Sequence, residues 1–296
     1  MRRRSFLGGA MAAAAANAAT ATAARDDLIG ARGYAVADAE TTLADLALAH
    51  DLGYVELVIA NPGIDPWLPA AGATIVLPTD HLLPAAPRAG LVVNYADQRL
   101  YHFRANRLVA TYPVGIAAEG VPPRLGATSV VGKRRDPSWS PTASMLEAAP
   151  DLPRFVPAGP DNPLGSRALD LGWPGHVIHG TNRPYGIGRR VSMGCVRLYE
   201  ADIAALFVAV GPGTPVLFVD QPIKLGWSGG VLHLEIHPDV EQAIEIQESR
   251  PPAHAPLPEL PLRVVLAAGP RADAIDWSRV EAAAARRDGM PVAILG

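Results

Sequence analysis

The residues of this sequence whose types and spacing suit covalent chemistry lie in two short segments. His179-Gly180-Thr181 ends a predicted strand, and the lone cysteine, Cys195, follows sixteen positions after His179 within Ser192-Met193-Gly194-Cys195-Val196-Arg197. A thiol attacks only as a thiolate, which is scarce at neutral pH at an unperturbed pKa of about 8.5, so a neighbouring imidazole is needed to accept the proton. Gly194 lets a substrate approach the backbone, where the N–H groups of Gly194 and Cys195 can face an oxyanion. The pattern predicts acyl transfer, and the alternative is an inert buried thiol beside a structural histidine.

Composition excludes several other classes of site. Cys195 is the only cysteine among 296 residues, which rules out an intrachain disulfide, a four-cysteine zinc site and a cysteine-ligated iron–sulfur cluster. The formal net charge of −3 argues against a strongly basic nucleic-acid-binding protein. With 49% hydrophobic residues the chain can bury a sizeable core, so we expect a globular protein. We predict no cofactor.

Short strands are predicted around the two segments that contain His179 and Cys195, and these strands must position both residues. Strand patterns occur at 91–95, 99–103, 108–115, 176–179 and 215–219. A proline-rich excursion at 136–163 separates the third strand from the fourth. Residues 200–210 are predicted to form a helix with one apolar face. Several strands with a single helix predict a mainly β domain at 91–224, a β-sandwich or a barrel.

The first 24 residues read as an export signal. Three arginines at 2–4 precede a short Ala/Gly-rich apolar stretch that ends in small residues, and Arg3-Arg4 before Ser-Phe-Leu resembles the twin-arginine signature. This stretch is too weakly apolar for a good membrane anchor, and no later segment offers the roughly 18 apolar residues of a membrane span. We expect residues 1–24 to be removed and the mature protein to reach the periplasm.

Residues 33–78 predict a strand, two helices and a second strand. This βααβ pattern resembles LysM modules, which bind N-acetylglucosamine-containing glycans, and the matching residues are Tyr34, Val36, Asp38, Thr42, Leu43, Leu46, Ala47, Asn61, Pro62, Leu77 and Pro78. His50 is predicted on the same helix face as Leu43, Leu46 and Ala47. The alternative is a packing or docking module that has lost glycan binding.

Residues 225–296 form a small predicted α/β extension without evident chemistry. A proline-rich connector at 251–261 precedes a predicted strand at 263–267, a helix at 276–287 that Asp276 can cap, and a strand at 291–295. His233, Glu235 and His237 alternate on a strand and can in principle ligate zinc, but we interpret them as a solvent-exposed strand face and predict no metal site.

The region 91–224 resembles the YkuD-type L,D-transpeptidases, whose pattern is His-Gly followed about fifteen residues later by Ser/Thr-x-Gly-Cys-Val/Ile-Arg. The likeness extends upstream through 93–94, 99–101, 112–115 and 157–165. It is greatest to the proteobacterial periplasmic subgroup, which carries an N-terminal LysM module. The fold that this implies is a β-sandwich catalytic domain between the LysM-like module and the α/β extension.

The resemblance implies a mechanism on peptidoglycan. Cys195, with His179 as base, attacks the L-centre carbonyl of the diamino acid in a tetrapeptide stem, D-Ala leaves, and an acceptor amine resolves the thioester. The acceptor is a second stem, which gives a 3-3 crosslink, or an outer-membrane lipoprotein or other protein. Gly180 and Ser192 are expected to support the site, and Arg197 and Thr181 to meet the substrate.

Met193 is the one departure from the motif, because many family members have a second histidine there. Its position two residues before Cys195 suits a role in shaping the loop, so we expect Met193 to be tolerated. The alternative functions are an L,D-carboxypeptidase or hydrolase of the same bonds, in which water resolves the thioester, and a non-catalytic wall-binding protein.

Overall fold

The computed structural model of the protein describes residues 26–253 and 255–295. The predicted export signal at 1–24 lies outside these residues. None of the helices in the described ranges combines the length and apolarity that crossing a membrane requires.

The N-terminal part has the predicted βααβ order, flanked by a short pair of strands. Its elements are β1 Leu28–Gly30, β2 Gly33–Val36, α1 Leu43–Ala49, α2 Tyr54–Ile59, β3 Thr74–Leu77 and β4 Asp80–Leu82. Thr42 begins α1 with a capping box, because its hydroxyl accepts the Asp45 N–H at 3.1 Å and the Asp45 carboxylate accepts the Thr42 N–H at 3.0 Å. Leu43, Leu46 and Ala47 are buried as predicted, whereas His50 is the exposed C-cap residue.

The central part is built on a sheet, and its mainly β character is confirmed, but the prediction of a single helix is wrong, because a second helix at Ala143–Ala148 lies within the proline-rich excursion. Its elements are β5 Gly90–Asn94, β6 Arg99–Arg104, β7 Arg107–Pro113, β8 Ile116–Ala117, β9 Gly126–Arg135, α3 Ala143–Ala148, β10 Arg167–Leu171, β11 Val177–His179, β12 Arg190–Ser192, β13 Val196–Arg197, α4 Glu200–Ala209 and β14 Pro215–Val219.

Within the described residues, eight of these strands hydrogen-bond in the order β13-β11-β10-β9-β14-β5-β6-β7, and β12 pairs separately with β8. The long strand β9 belongs to both halves of the sheet, since it pairs with β10 and with β14. Both halves contribute to one apolar core, which Ile203, Leu206 and Phe207 of α4 complete. The two predicted layers are thus joined into one curled sheet, with β13 at its edge.

The C-terminal part differs from its prediction in one element. It contains β15 Ile223–Ser228, β16 Val231–Ile236, α5 Val240–Gln247, α6 Leu260–Ala268, α7 Trp277–Arg286 and β17 Val292–Leu295. The strand predicted at 263–267 is wrong, because these residues lie in α6, where Leu260, Val264 and Ala268 are buried at the four-residue spacing of one helix face. The predicted helix and its Asp276 cap are confirmed, as is the final strand.

The predicted exposure of the alternating residues on β16 is also wrong, because Glu235 and His237 are buried. The Lys224 ammonium of β15 lies 2.5 Å from Glu235 Oε1 and 2.8 Å from Asp97 Oδ2, and His237 Nε2 lies 2.6 Å from Glu235 Oε1. Although burial alone lowers it, these two carboxylates hold the pKa of Lys224 well above its ordinary value. Among the described residues, one group has side chains close enough together to share a metal ion, and it consists of Asp97, Glu235 and His237. The two carboxylates of this group already bind the Lys224 ammonium.

Replacing Lys224 by methionine is expected to destabilise the fold strongly. The change leaves two buried carboxylates without their counter-charge, so the free energy of unfolding should fall by about 3–5 kcal/mol, measured by urea denaturation. Arg250→Ala is the control, since its ion pair with Glu248 is half exposed and should contribute less than about 1 kcal/mol. Equally small losses in both variants would contradict a structural role for the Lys224 ammonium.

Candidate active site

Cys195 and His179 meet at the edge of the sheet. His179 is the last residue of β11, Cys195 immediately precedes β13, and the two strands run parallel with Ile178 opposite Val196 and His179 opposite Arg197. Ile178 and Val196 face the core. Strand alternation therefore places the side chains of His179 and Arg197 together on the opposite face.

The hydrogen bonding of His179 prepares it to act as a base. Its ring is buried, and Nδ1 lies 2.6 Å from the Gly180 carbonyl oxygen. A carbonyl only accepts, so Nδ1 carries the proton and the lone pair is on Nε2. Burial lowers the pKa of His179 to about 4; the bond to Gly180 opposes this shift, and the positive charges of Arg197 and Arg134 add to it. At neutral pH the imidazole is neutral and can accept a proton.

Cys195 is half-buried, and its thiol lies against the start of β11. Sγ donates to the Gly175 carbonyl oxygen at 3.7 Å, and the Val177 N–H is directed at the sulfur. Burial raises the pKa of the Cys195 thiol, while the Val177 N–H and the charges of Arg197 and Arg134 oppose that shift. The site therefore rests as a neutral thiol beside a neutral imidazole, and deprotonation must accompany attack.

A carboxylate that the sequence analysis missed holds the segment after His179. Glu200, at the start of α4, accepts the Thr181 N–H at 2.7 Å and the Ser166 N–H at 3.0 Å. A side chain at Gly180 would place its Cβ 1.9 Å from Glu200 Oε1, so this close approach requires glycine. The only sequence signal is an acidic residue in the first turn of a helix, which ordinary stabilisation of the helix dipole already explains.

Thr181 and Arg197 have structural contacts of their own. The Thr181 side chain is buried, and its hydroxyl accepts the Arg183 N–H at 3.0 Å, which shapes the loop. The Arg197 backbone pairs with Gly115 in both directions, at 2.8 and 2.9 Å. Its guanidinium Nε is buried and has no hydrogen-bond partner among the described residues.

The loop before Cys195 is organised by Ser192. The buried Ser192 hydroxyl donates to the Cys195 carbonyl oxygen at 2.6 Å and accepts the Gly194 N–H at 3.3 Å. Gly194 has φ 108°, which favours glycine. Its N–H donates to Ser192, so this member of the predicted pair of oxyanion donors already has a partner within the loop. Met193 is 51% exposed and lies at the surface of the loop.

The N-terminal and C-terminal parts of the protein both hydrogen-bond to residues 180–194, the segment that links His179 to Cys195, which we call the catalytic loop. The first N–H groups of α2, from Tyr54 and Val55, donate to the carbonyls of Ile187 and Gly188 at 3.2 and 3.1 Å. On the other side, the Gln247 side chain at the end of α5 accepts the Arg190 N–H at 2.7 Å.

Side chains add to the N-terminal contact. The Tyr185 hydroxyl donates to Asp45 of α1 at 2.9 Å, and the Arg189 guanidinium lies 3.5 Å from the centre of the Tyr54 ring. Sequence reasoning treated these parts as separate modules, but in the structure they support the catalytic loop.

Replacing Gly188 by alanine is expected to slow the chemistry through this contact. The new Cβ would lie 2.2 Å from backbone atoms of Gly53 and Tyr54, so α2 and the loop must separate. A shift of about 1 Å in a catalytic loop can lower a reaction rate as much as 10²-fold. We therefore expect acylation of Cys195 to slow by about tenfold or more. Intact-mass spectrometry over time measures the acylation rate.

Gly213→Ala is the matched control, because Gly213 also has positive φ but nothing lies within 4 Å of its Cβ position. It should lose about 1–2 kcal/mol of stability and keep its acylation rate. Equal acylation rates in the two variants would contradict a positioning role for the contact at Gly188.

Comparison with known proteins gives a consistent result. Residues 88–218 match the family model YkuD, described as the L,D-transpeptidase catalytic domain. The chain is 40% identical over 260 residues to the probable L,D-transpeptidase ErfK/SrfK of Salmonella typhimurium, covering 85% of this chain and 82% of that protein. It is 40% identical over 215 residues to the probable L,D-transpeptidase YcfS of Escherichia coli, covering 69% and 67%. The solved catalytic domain of an Enterococcus faecium L,D-transpeptidase aligns at 20% identity and a TM-score of 0.37, covering 46% of this chain and 99% of that one.

Proposed function

This chain belongs to the YkuD-type L,D-transpeptidase family, and on that premise we propose that it is a peptidoglycan L,D-transpeptidase with Cys195 as its nucleophile. The observation that carries the proposal is the parallel pairing of β11 and β13 at the edge of one sheet, with His179 ending one strand, Cys195 directly preceding the other, and Gly180 accepting the Nδ1–H of His179. A nucleophile, a base and nearby backbone donors are the groups that acyl transfer needs.

The first half-reaction forms a thioester. His179 Nε2 takes the thiol proton as Sγ attacks the L-centre carbonyl of the diamino acid in a tetrapeptide stem. The Cys195 N–H faces the oxyanion. The imidazolium then gives its proton to the leaving amine of D-Ala, and the acyl group stays on sulfur.

The second half-reaction transfers the acyl group to an amine. The acceptor nitrogen attacks the thioester carbonyl, the C–S bond breaks, and the thiol is restored. The acceptor is a second stem, an outer-membrane lipoprotein or another protein. Arg197, with its unpartnered Nε, is suited to a carboxylate of the donor stem.

The N-terminal βααβ module is proposed to bind the glycan strand as a LysM module. Its fold supports this role, and its contact with the catalytic loop means that a bound glycan would sit at a defined position relative to Cys195. The protein is proposed to act in the periplasm after export through the signal at 1–24.

The test is incubation of the mature protein with a disaccharide tetrapeptide. We expect intact mass to show an acyl adduct at Cys195 and free D-Ala to appear in equal amount. Adding an amine acceptor should convert the adduct into a crosslinked product, whereas accumulation of a tripeptide in its place would indicate the carboxypeptidase alternative. An unmodified protein with no D-Ala released would contradict catalysis and favour the wall-binding alternative.

A further inference from the structure

A second histidine lies beside the thiol. The two backbone groups that contact Cys195 Sγ, the Gly175 carbonyl and the Val177 N–H, are the immediate neighbours of His176 in the chain. His176 was predicted only as part of a strand, and it is half-buried where His179 is buried. The two backbone contacts of the sulfur therefore lie on either side of His176 in the chain, and His176 is more exposed than His179.

The ring of His176 is oriented by its neighbours. Nδ1 lies 3.0 Å from the Pro174 carbonyl oxygen, so Nδ1 carries the proton and Nε2 has the free lone pair. The Trp173 ring packs edge-on against it at 5.7 Å between ring centres. These two contacts give Nε2 of the neutral ring a defined direction.

That nitrogen faces the loop that carries Cys195. A Cβ built on Gly194 would have His176 Nε2 as its nearest neighbour, at 3.7 Å, and no other atom of the described chain beyond the adjoining residues lies within 4 Å. The space between Nε2 and the Gly194 backbone is therefore open.

The second half-reaction creates a need for such a base. An acceptor with an alkyl amine has a pKa of about 10.4 and arrives as an ammonium, which cannot attack until it loses a proton. His179 is buried, whereas His176 is half-buried and therefore more accessible to an acceptor that arrives from solvent.

We propose that His176 Nε2 is a second base, which takes the proton of the acceptor ammonium at the thioester stage. An N–H bond of the ammonium breaks and its proton moves to Nε2. The freed lone pair forms the C–N bond, and the C–S bond breaks with its electrons on sulfur. His179 takes the remaining excess proton from nitrogen and passes it to the thiolate, while His176 releases its proton to solvent. This inference rests on the proposed transpeptidase function.

His176→Asn tests the proposal, because asparagine keeps an N–H donor for the Pro174 carbonyl and removes Nε2. In the first turnover we expect adduct formation and D-Ala release to stay within about twofold of the unmodified protein, while transfer to an amine acceptor falls about 10²-fold, in the range of general-base effects. The thioester adduct should accumulate during turnover. Added imidazole should restore part of the transfer rate in His176→Gly.

His233→Asn is the matched control, because His233 also bonds its Nδ1 to the carbonyl two residues earlier, at 3.2 Å, in the C-terminal part. It should leave both steps unchanged. Unchanged transfer in His176→Asn, or an equal fall in acylation and transfer, would overturn the role of His176 as a base. Absence of any adduct in the unmodified protein would overturn the proposed function itself, and the inference with it.

Discussion

Replacing Cys195 by alanine is expected to abolish adduct formation and to lower D-Ala release by on the order of 10⁴-fold or more. The physical reason is that the thioester cannot form without the sulfur, and the chain has no other cysteine to substitute for it. Intact mass after incubation with a disaccharide tetrapeptide measures the adduct, and chiral analysis of the supernatant measures D-Ala.

The control for this variant is its stability. Cys195 is only half-buried and its thiol makes one long hydrogen bond, so the free energy of unfolding should change by less than about 1 kcal/mol. The loss of activity can then be assigned to the nucleophile. An acyl adduct on Cys195→Ala would show that another side chain carries the reaction and would contradict the assignment.

Replacing His179 by glutamine is expected to slow acylation of Cys195 by about 10²–10⁴-fold, the usual contribution of a positioned general base. Glutamine is similar in size but cannot accept the thiol proton. Because the pKa of the Cys195 thiol is raised by burial, little thiolate forms unaided near neutrality. The residual rate of the variant should therefore keep rising with pH into the range above the ordinary pKa of a thiol.

The pH profile of the unmodified enzyme follows from the same residue. Burial holds the pKa of His179 at about 4, so the imidazole is protonated and inactive below that value and neutral and active above it. The acid limb of kcat/KM for acylation should lie near pH 4 rather than near the ordinary histidine value of about 6.5. An acid limb at 6.5 would contradict the lowered pKa of His179, and a His179→Gln variant as fast as His233→Asn would contradict its role as the base.

The parts of the fold that were correctly predicted depend on short patterns. Thr42 and Asp276 are caps whose side chains bond to backbone only three residues away. The apolar periods of the central strands and of α4 extend over a few turns or strand residues. Such features are decided locally, so one segment contains the information that specifies them.

Two of the errors have a common cause. The apolar run at 263–267 suits a strand or a helix, and only packing against the C-terminal sheet selects the helix whose buried face includes Val264. On β16 the alternation was correct, but the polar face is buried because Lys224 and Asp97, 127 positions apart, come together against it. The spacing of apolar and polar residues along a segment shows which side chains share a face. It does not show which part of the protein, or solvent, contacts that face.

By itself the sequence indicated a candidate nucleophile, a candidate base and the order of the parts, because a lone cysteine in a motif with fixed spacing from His179 can be recognised without residues from elsewhere in the chain. Only the tertiary structure decided that His179 is neutral, and that Glu200 packs against Gly180 and accepts the Thr181 N–H. It also decided that α2 and α5 hydrogen-bond to the catalytic loop and that His176 faces this loop. Burial and hydrogen-bond partners depend on which distant segments pack together, and no local pattern contains that information.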